Sequence, residues 1–258
     1  MSKLSSENKF LDLSDYGRPL AKVIAKALLN TPATPIFVTF CFLISGLIAV
    51  YFILNTQFIL AALFLVLKSI IDAADGELAR LRNKPSYIGR YLDSVFDFLL
   101  NFIILYSISL INHESFLVIL IAFFSMQFQG TIYNYYYTIL RNNLSGGDTT
   151  SRIEENSFPR ALHGENQKMV NFLFIIYLTF YGFFDRLVLL IDQNAKNCTK
   201  IPNWFMTLTS IYGLGFQLLI IGIILTLNLS NYILFFIIIY SFPIIPIVLI
   251  RKVILPKI

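Results

Sequence analysis

Four aspartates stand close together in a chain that is otherwise poor in charge: Asp72, Asp75, Asp93 and Asp97. Their spacing puts the first two on one face of a helix, at i and i+3, and the last two on one face of a second helix, at i and i+4. The loop between the two helices is short and contains Pro85. The helices are therefore expected to be antiparallel neighbours whose acidic faces meet.

Carboxylates gathered in this way need positive charge beside them. Oxygen ligands suit the hard cations Mg²⁺ or Mn²⁺, and the absence of a nearby Cys or His in the sequence argues against zinc. Two such ions a few ångströms apart are the standard arrangement for displacement at phosphorus. Gly76 leaves room for a ligand to approach the helix backbone, and Arg80 offers a forked donor suited to phosphate. The pattern predicts a site with two divalent ions that acts on a phosphorylated substrate.

Residues 72–97 also reproduce a known signature. The run DAADGELARLRNKPSYIGRYLDSVFD matches the pattern D-x2-D-G-x2-A-R-x8-G-x3-D-x3-D at every fixed position and in every gap. This is the signature of the CDP-alcohol phosphotransferases, and the chain resembles that family.

The resemblance implies a role for each matching position. Asp72, Asp75 and Asp93 resemble metal ligands, and Asp97 resembles a ligand that also serves as general base for the acceptor hydroxyl. Contacts with the CDP part of the donor are implied for Gly76, Ala79, Arg80, Ser86 and Gly89. The implied reaction is attack by the hydroxyl of an acceptor alcohol on the β-phosphorus of a CDP-alcohol donor, with CMP as the leaving group. The resemblance also suggests a homodimer.

Three further residues are candidates for substrate contacts. Lys68 lies one turn before Asp72 on the same helix face, so it either meets a substrate phosphate or neutralises an aspartate. Tyr133 and Asn134 belong to a polar and aromatic stretch that could line the acceptor pocket. The alternative for that stretch, which we favour from the sequence, is a tyrosine belt at the membrane interface.

The elements that must position these residues are membrane helices. Hydrophobic types make up 57 % of the chain and charged types only 14 %, against about 25 % charged residues in soluble proteins. The apolar residues form runs of the length needed to span a bilayer. The predicted fold is an all-α integral membrane protein with a bundle of six or seven transmembrane helices. The candidate spans are residues 35–54, 58–81, 89–112, 115–140, 168–191, 203–228 and 231–250.

An amphipathic helix is predicted before the first span. Residues 13–30 combine an apolar side with several basic residues, which is typical of a helix that lies at the membrane surface. We therefore divide the chain into a cytoplasmic N-terminal segment, 1–34, and a transmembrane phosphotransferase domain, 35–258. Residues 1–12 are polar and are expected to be frayed.

Basic residues indicate the orientation. The net charge is +5, but Lys and Arg cluster at the ends of apolar runs, where we interpret them as topology signals and contacts for membrane lipid rather than for nucleic acid. They are frequent before the first span and in the loops around 80–90 and 141–168. The active site is therefore expected to face the cytoplasm, in the cell membrane of a bacterium or an archaeon. The tail residues Arg251, Lys252 and Lys257 conflict with seven spans, because they would then lie on the opposite side.

Three functions remain open at this stage. The first is transfer of a phosphatidyl group from CDP-diacylglycerol to a small polar alcohol. The second is transfer of a phosphorylated head group from CDP-choline or CDP-ethanolamine to a lipid alcohol. The third is a transporter in which the aspartates form an ion site, although such a site does not require the other signature residues. Because basic residues are few within the spans, an unphosphorylated acceptor is favoured.

Overall fold

A computed structural model describes residues 10–145, 157–198 and 201–254. Within these residues the chain is helical and has no strand. The helices are α1 (Arg18–Leu28), α2 (Pro35–Leu54), α3 (Phe58–Leu81), α4 (Tyr87–Asn112), α5 (Phe116–Ser145), α6 (Gln167–Ile191), α7 (Asn203–Thr209), α8 (Leu214–Thr226), α9 (Ile233–Ile239) and α10 (Ile244–Ile254).

The described part of the chain contains five helical segments that are long and apolar enough to cross a membrane. They are Pro35–Leu54, Tyr87–Asn112, Phe116–Asn143, Gln167–Ile191 and Ser230–Val253. The predicted span 203–228 is instead broken: Asn203–Tyr212 and Leu214–Thr226 meet at a bend of 50° and form one further span only if counted together. Helix α3 is as long as these segments but is not among them, because its second half carries the charged residues of the signature. The prediction of an all-α membrane protein is confirmed.

Helix α3 lies at the centre of the bundle, where it packs against α1, α2 and α8, while α2 also packs against α4. Gly46 of α2 permits a close approach, because a Cβ at this position would lie 2.6 Å from Cδ1 of Leu100 in α4. Leu65 of α3 and Leu100 are fully buried in the same apolar cluster. This packing holds the second half of α3 beside the first half of α4, which is where the signature needs them.

The predicted amphipathic helix is α1, and it is shorter than predicted. Ala21 and Ala25 are fully buried in a cluster with residues of α3, whereas Leu20 and Val23 are exposed. Small side chains on the inner face let α1 lie close to α3, and Leu20 and Val23 remain on the side away from the bundle.

Arg82, at the end of α3, forms hydrogen bonds with the chain at the end of α1. Its Nη2 donates to the carbonyl oxygen of Leu28 at 2.7 Å, and its Nη1 donates to that of Ala33 at 2.7 Å. A cation is favoured at this position because the last carbonyl groups of a helix have no partner within it. The residue interpreted from sequence as a topology signal therefore also caps a helix.

Arg251 of the tail is buried inside the protein. Its Nε donates to Oδ2 of Asp192 at 2.6 Å, and the hydroxyl of Tyr136 donates to the same oxygen at 2.8 Å. An internal ion pair thus occupies Arg251, so this residue no longer counts towards the conflict over the number of spans. Lys257 and residues 1–9 lie outside the described residues.

Candidate active site and metal centre

Three of the four signature aspartates meet between α3 and α4. Asp72, Asp75 and Asp93 each offer a carboxylate oxygen, and these oxygens all lie within 4.8 Å of one another. Oδ1 of Asp93 is buried and has no hydrogen-bond partner among the described residues. Oδ2 of Asp75 accepts a hydrogen bond from Thr39 of α2 at 2.7 Å. Converging oxygens, one of them buried and unpaired, fit a hard divalent cation.

Asp97 lies outside that group of three and faces Lys68. Nζ of Lys68 donates to Asp97 and also to Oδ2 of Asp72 at 2.8 Å. Lys68 is fully buried, and its Nζ lies 4.7 Å from the centre of the Phe42 ring. This position supports the interpretation of Lys68 as the counter-charge of the aspartates, because it holds two of them together.

Arg80 lies one turn beyond Gly76 on α3 and folds back over it. A Cβ at Gly76 would lie 3.4 Å from Nη1 of Arg80. Nη2 of Arg80 lies 3.4 Å from Oε1 of Glu77, and its Nε and Nη2 are buried without a hydrogen-bond partner among the described residues. Arg80 therefore has donors to offer to an anion. Ala79 is half-buried beside it.

Ser86 and Gly89 form the start of α4. Oγ of Ser86 accepts a hydrogen bond from the backbone N–H of Gly89 at 2.8 Å, which is an N-cap. The same hydroxyl donates to Oε1 of Glu165 at 2.7 Å, and this carboxylate also accepts from the N–H of Ile88 at 2.9 Å. Both residues thus fix the start of the helix that carries Asp93. Their predicted contacts with CDP remain a prediction.

A polar cavity of about 390 Å³ adjoins the carboxylates. Asp72, Asp93 and Asp97 line it, together with Ser69 of α3. The signature positions assigned to CDP do not line it: Gly76, Ala79, Arg80, Ser86 and Gly89. On α4 and α5, the cavity is also lined by Arg90 and Arg141.

Tyr133 and Asn134 of α5 both line this cavity. Tyr133 is buried, and its hydroxyl donates to Oδ2 of Asp12 at 2.5 Å. Tyr135 and Tyr136 are buried as well, and their hydroxyls donate to Asp192. These tyrosines lie inside the protein, so the alternative of a belt at the membrane interface was wrong for them.

The model of one protein family matches most of the chain. The family is described as CDP-alcohol phosphatidyltransferase, and the match covers residues 32–244, which include all four aspartates. The chain belongs to this family. Comparison with curated proteins finds no match. Dependence on divalent metal is general in the family, in agreement with the aspartate group found here.

The structure adds residues that the sequence did not single out in this member of the family. Asp12, Ser14 and Asp15 line the cavity, although they precede the matched region. The prediction of a frayed chain is wrong for residues 10–12, because Phe10 and Asp12 contact α5. The next residue, Leu13, contacts the α7–α8 break. The pattern Asp-Leu-Ser-Asp is typical of a capped turn, and Oδ1 of Asp12 does accept from the N–H of Ser14 at 3.0 Å. That signal predicts a turn in the chain but does not predict that the turn lies against the cavity.

A second unpredicted residue, Tyr181 of α6, also lines the cavity. Its hydroxyl donates to the carbonyl oxygen of Ser94 at 3.1 Å, and its ring packs edge-on against Phe98 at 5.4 Å between centroids. These two neighbours flank Asp97 on α4. Helix α6 thus covers the face of α4 that carries the proposed base.

Proposed function

We propose that this protein transfers the phosphatidyl group of CDP-diacylglycerol to a small polar alcohol and releases CMP. The observation that carries the proposal is the junction of three sites. The group of Asp72, Asp75 and Asp93 adjoins a polar cavity that Asp97 lines, and Arg80, whose Nε is buried without a hydrogen-bond partner among the described residues, follows on the same helix as Asp72 and Asp75.

The residues present divide the work as follows. Asp72, Asp75 and Asp93 would hold the divalent ions, with Asp97 as a further proposed ligand. When bound, two such ions would supply positive charge that balances the diphosphate and the departing CMP. Arg80 would bind a phosphate of the donor through its N–H groups. Lys68 keeps Asp72 and Asp97 in place.

Asp97 is the proposed base. It lines the cavity beside the metal-binding group, and so it can accept the proton of an acceptor hydroxyl bound there. The acceptor oxygen forms a bond to the β-phosphorus of the donor. The bond from that phosphorus to the oxygen of CMP breaks, and CMP leaves with the electron pair.

The lining of the cavity supports a small polar acceptor rather than a lipid alcohol. Carboxylates, tyrosines, amides, hydroxyls and the guanidinium groups of Arg90 and Arg141 line most of it, including Asp12, Ser14, Gln127, Asn134 and Gln217. Burying a diacylglycerol against these groups would leave them without hydrogen-bond partners, at a cost of about 1–3 kcal/mol for each. The acyl chains of CDP-diacylglycerol would remain in the bilayer. Head-group transfer from CDP-choline or CDP-ethanolamine is therefore the second choice.

The site is proposed to face the cytoplasm, which the distribution of Lys and Arg among the loops supports. The homodimer suggested by the resemblance stays a prediction.

The experiment that tests the proposal is release of CMP by the purified protein in detergent with Mg²⁺ or Mn²⁺. The donors CDP-diacylglycerol, CDP-choline and CDP-ethanolamine are each combined with serine, ethanolamine, glycerol, glycerol 3-phosphate, inositol, inositol phosphate and diacylglycerol. We expect metal-dependent release with CDP-diacylglycerol and one of the small acceptors. Release only with CDP-choline or CDP-ethanolamine and diacylglycerol would overturn the proposed direction of transfer.

A further inference from the structure

The first described residues of the chain form part of the active-site cavity. Residues 10–17, here called the N-terminal segment, precede the region that matches the family. Asp12, Ser14, Asp15 and Gly17 of this segment nevertheless line the cavity together with the signature aspartates. The segment therefore forms a wall of the cavity that the matched region does not include.

Close packing fixes the N-terminal segment against the break between α7 and α8. The backbone N–H of Leu13 donates to Oγ of Ser210 at 3.0 Å. A Cβ at Gly213 would overlap the side chain of Ser14, and a Cβ at Gly215 would overlap the carbonyl oxygen of Ser14. The bend between the two helices and its two glycines thus make room for the segment.

The other side of the segment packs against α3. A Cβ at Gly17 would lie 2.9 Å from Cγ1 of Ile70. Ile70 follows Ser69, which lines the cavity and lies about one helical turn before Asp72. The segment is thus held between α3 and α8 at the level where the cavity meets the carboxylates.

Asp12 presents a carboxylate to the cavity from this wall. Its Oδ1 accepts from the N–H of Ser14 at 3.0 Å and from Oγ of Ser14 at 2.7 Å, and its Oδ2 accepts from Tyr133 at 2.5 Å. No Lys, Arg or His of the described residues forms an ion pair with it. A carboxylate has about four acceptor positions, so one remains after these three hydrogen bonds.

The position of Asp12 relative to the signature decides which substrate it can meet. Arg80 and Gly76, which are residues assigned to CDP, do not line the cavity. Asp12 lies within the cavity, which Asp97 also lines. A molecule that contacts Asp12 and the proposed base Asp97 together fits the acceptor, because the acceptor hydroxyl must reach that base.

We propose that the N-terminal segment forms the acceptor-binding wall of this enzyme and that Asp12 binds the acceptor alcohol. Asp12 accepts a hydrogen bond from a polar group of the acceptor other than the reacting hydroxyl, either a second hydroxyl or an ammonium group. This inference rests on the proposed function. It makes residues outside the family region determinants of acceptor specificity.

The test compares Asp12→Asn with the wild-type protein in the CMP-release assay. The substitution keeps the shape of the side chain but removes its charge. We expect the KM for the acceptor to rise about tenfold or more, since hydrogen bonds to charged groups are the stronger ones. The KM for CDP-diacylglycerol and the inhibition constant of added CMP should stay within about twofold.

Different acceptors identify the group that Asp12 binds. Serine and ethanolamine carry an ammonium group, whereas glycerol and inositol offer only hydroxyls. If Asp12 binds an ammonium group, the acceptor KM of Asp12→Asn rises mainly for serine and ethanolamine. If it uses a hydroxyl, the KM rises for glycerol or inositol. Both results support the contact and differ only in its chemistry.

Leu11→Ala is the matched control, because Leu11 is the neighbour of Asp12 but is 68 % exposed. It should leave all three constants unchanged. If Asp12→Asn does not fold, Asp12→Glu retains the charge and shifts it by one methylene group, and it should raise the acceptor KM alone. An unchanged acceptor KM, or an equal rise in the donor KM, would overturn the inference. Absence of CMP release by the wild-type protein would instead contradict the proposed function.

Discussion

Lys68 and Asp72 form an ion pair inside the bundle, with 2.8 Å between Nζ and Oδ2, and the same ammonium group donates to Asp97 on the next helix. One fully buried side chain thus joins α3 to α4 at the point where carboxylate oxygens of Asp72, Asp75 and Asp93 meet. Four aspartates can remain close together because Lys68 supplies positive charge to Asp72 and Asp97, and a divalent cation can supply it to the group of Asp72, Asp75 and Asp93.

Replacing Lys68 by Met should destabilise the protein. The change leaves Asp72 and Asp97 without their shared partner, and breaking a buried ion pair costs about 3–5 kcal/mol. Thermal unfolding without divalent ions should show a lower Tm, and added Mg²⁺ should raise the Tm of Lys68→Met more than that of the wild type. Lys68→Arg, which keeps the charge, is the control. A Met variant as stable as the wild type would show that Lys68 is not the counter-charge.

Gly76→Ala should weaken donor binding without loss of stability. The added Cβ would meet Arg80 only at an ordinary contact distance of 3.4 Å, and alanine favours the helix by about 1 kcal/mol relative to glycine. The KM for the CDP-alcohol should rise several-fold while the Tm is kept. Gly46→Ala provides the contrast, because its Cβ would lie 2.6 Å from Leu100 and should lower the Tm. An unchanged donor KM in Gly76→Ala would remove Gly76 from the nucleotide site.

Asp97→Asn should abolish turnover and leave donor binding partly intact. The amide cannot take a proton from the acceptor, and loss of a general base typically costs a factor of about 10²–10⁴ in rate. CMP release gives the rate, and binding of CMP to the purified variant measures the nucleotide site separately. Full activity of this variant would contradict the assignment of Asp97 as the base.

Arg251→Met should lower the free energy of unfolding by about 3–5 kcal/mol, because it leaves the carboxylate of Asp192 buried without its cation. Lys252→Met, at the exposed neighbouring position, should have little effect. Chemical or thermal denaturation in detergent measures both. Equal stability of the two variants would mean that the buried pair does not contribute.

The sequence predicted the core of the site because its geometry is local. Asp72 and Asp75 belong to one helix, Asp93 and Asp97 to the next, and the short loop between them forces the pairing. Helical periodicity alone then brings the acidic faces together.

The rest of the site depends on contacts between residues that are far apart along the chain. Asp12 meets Tyr133 across 121 residues, and Leu13 meets Ser210 across 197 residues. No periodicity in a single segment predicts such pairs, so residues 1–12 were expected to be frayed. The buried tyrosines of α5 were misplaced for the same reason, since their partner Asp192 lies beyond the end of α6.

The central claim is that the aspartate group binds divalent metal and that this metal drives transfer from a CDP-alcohol. The most direct measurement is CMP release from CDP-diacylglycerol as Mg²⁺ or Mn²⁺ is titrated into wild-type protein and into Asp75→Asn, with thermal stability followed in the same samples. The account predicts metal-dependent release and a metal-dependent rise in Tm for the wild type, and loss of both in Asp75→Asn. Wild-type metal affinity in Asp75→Asn, or release of CMP without metal, would contradict it.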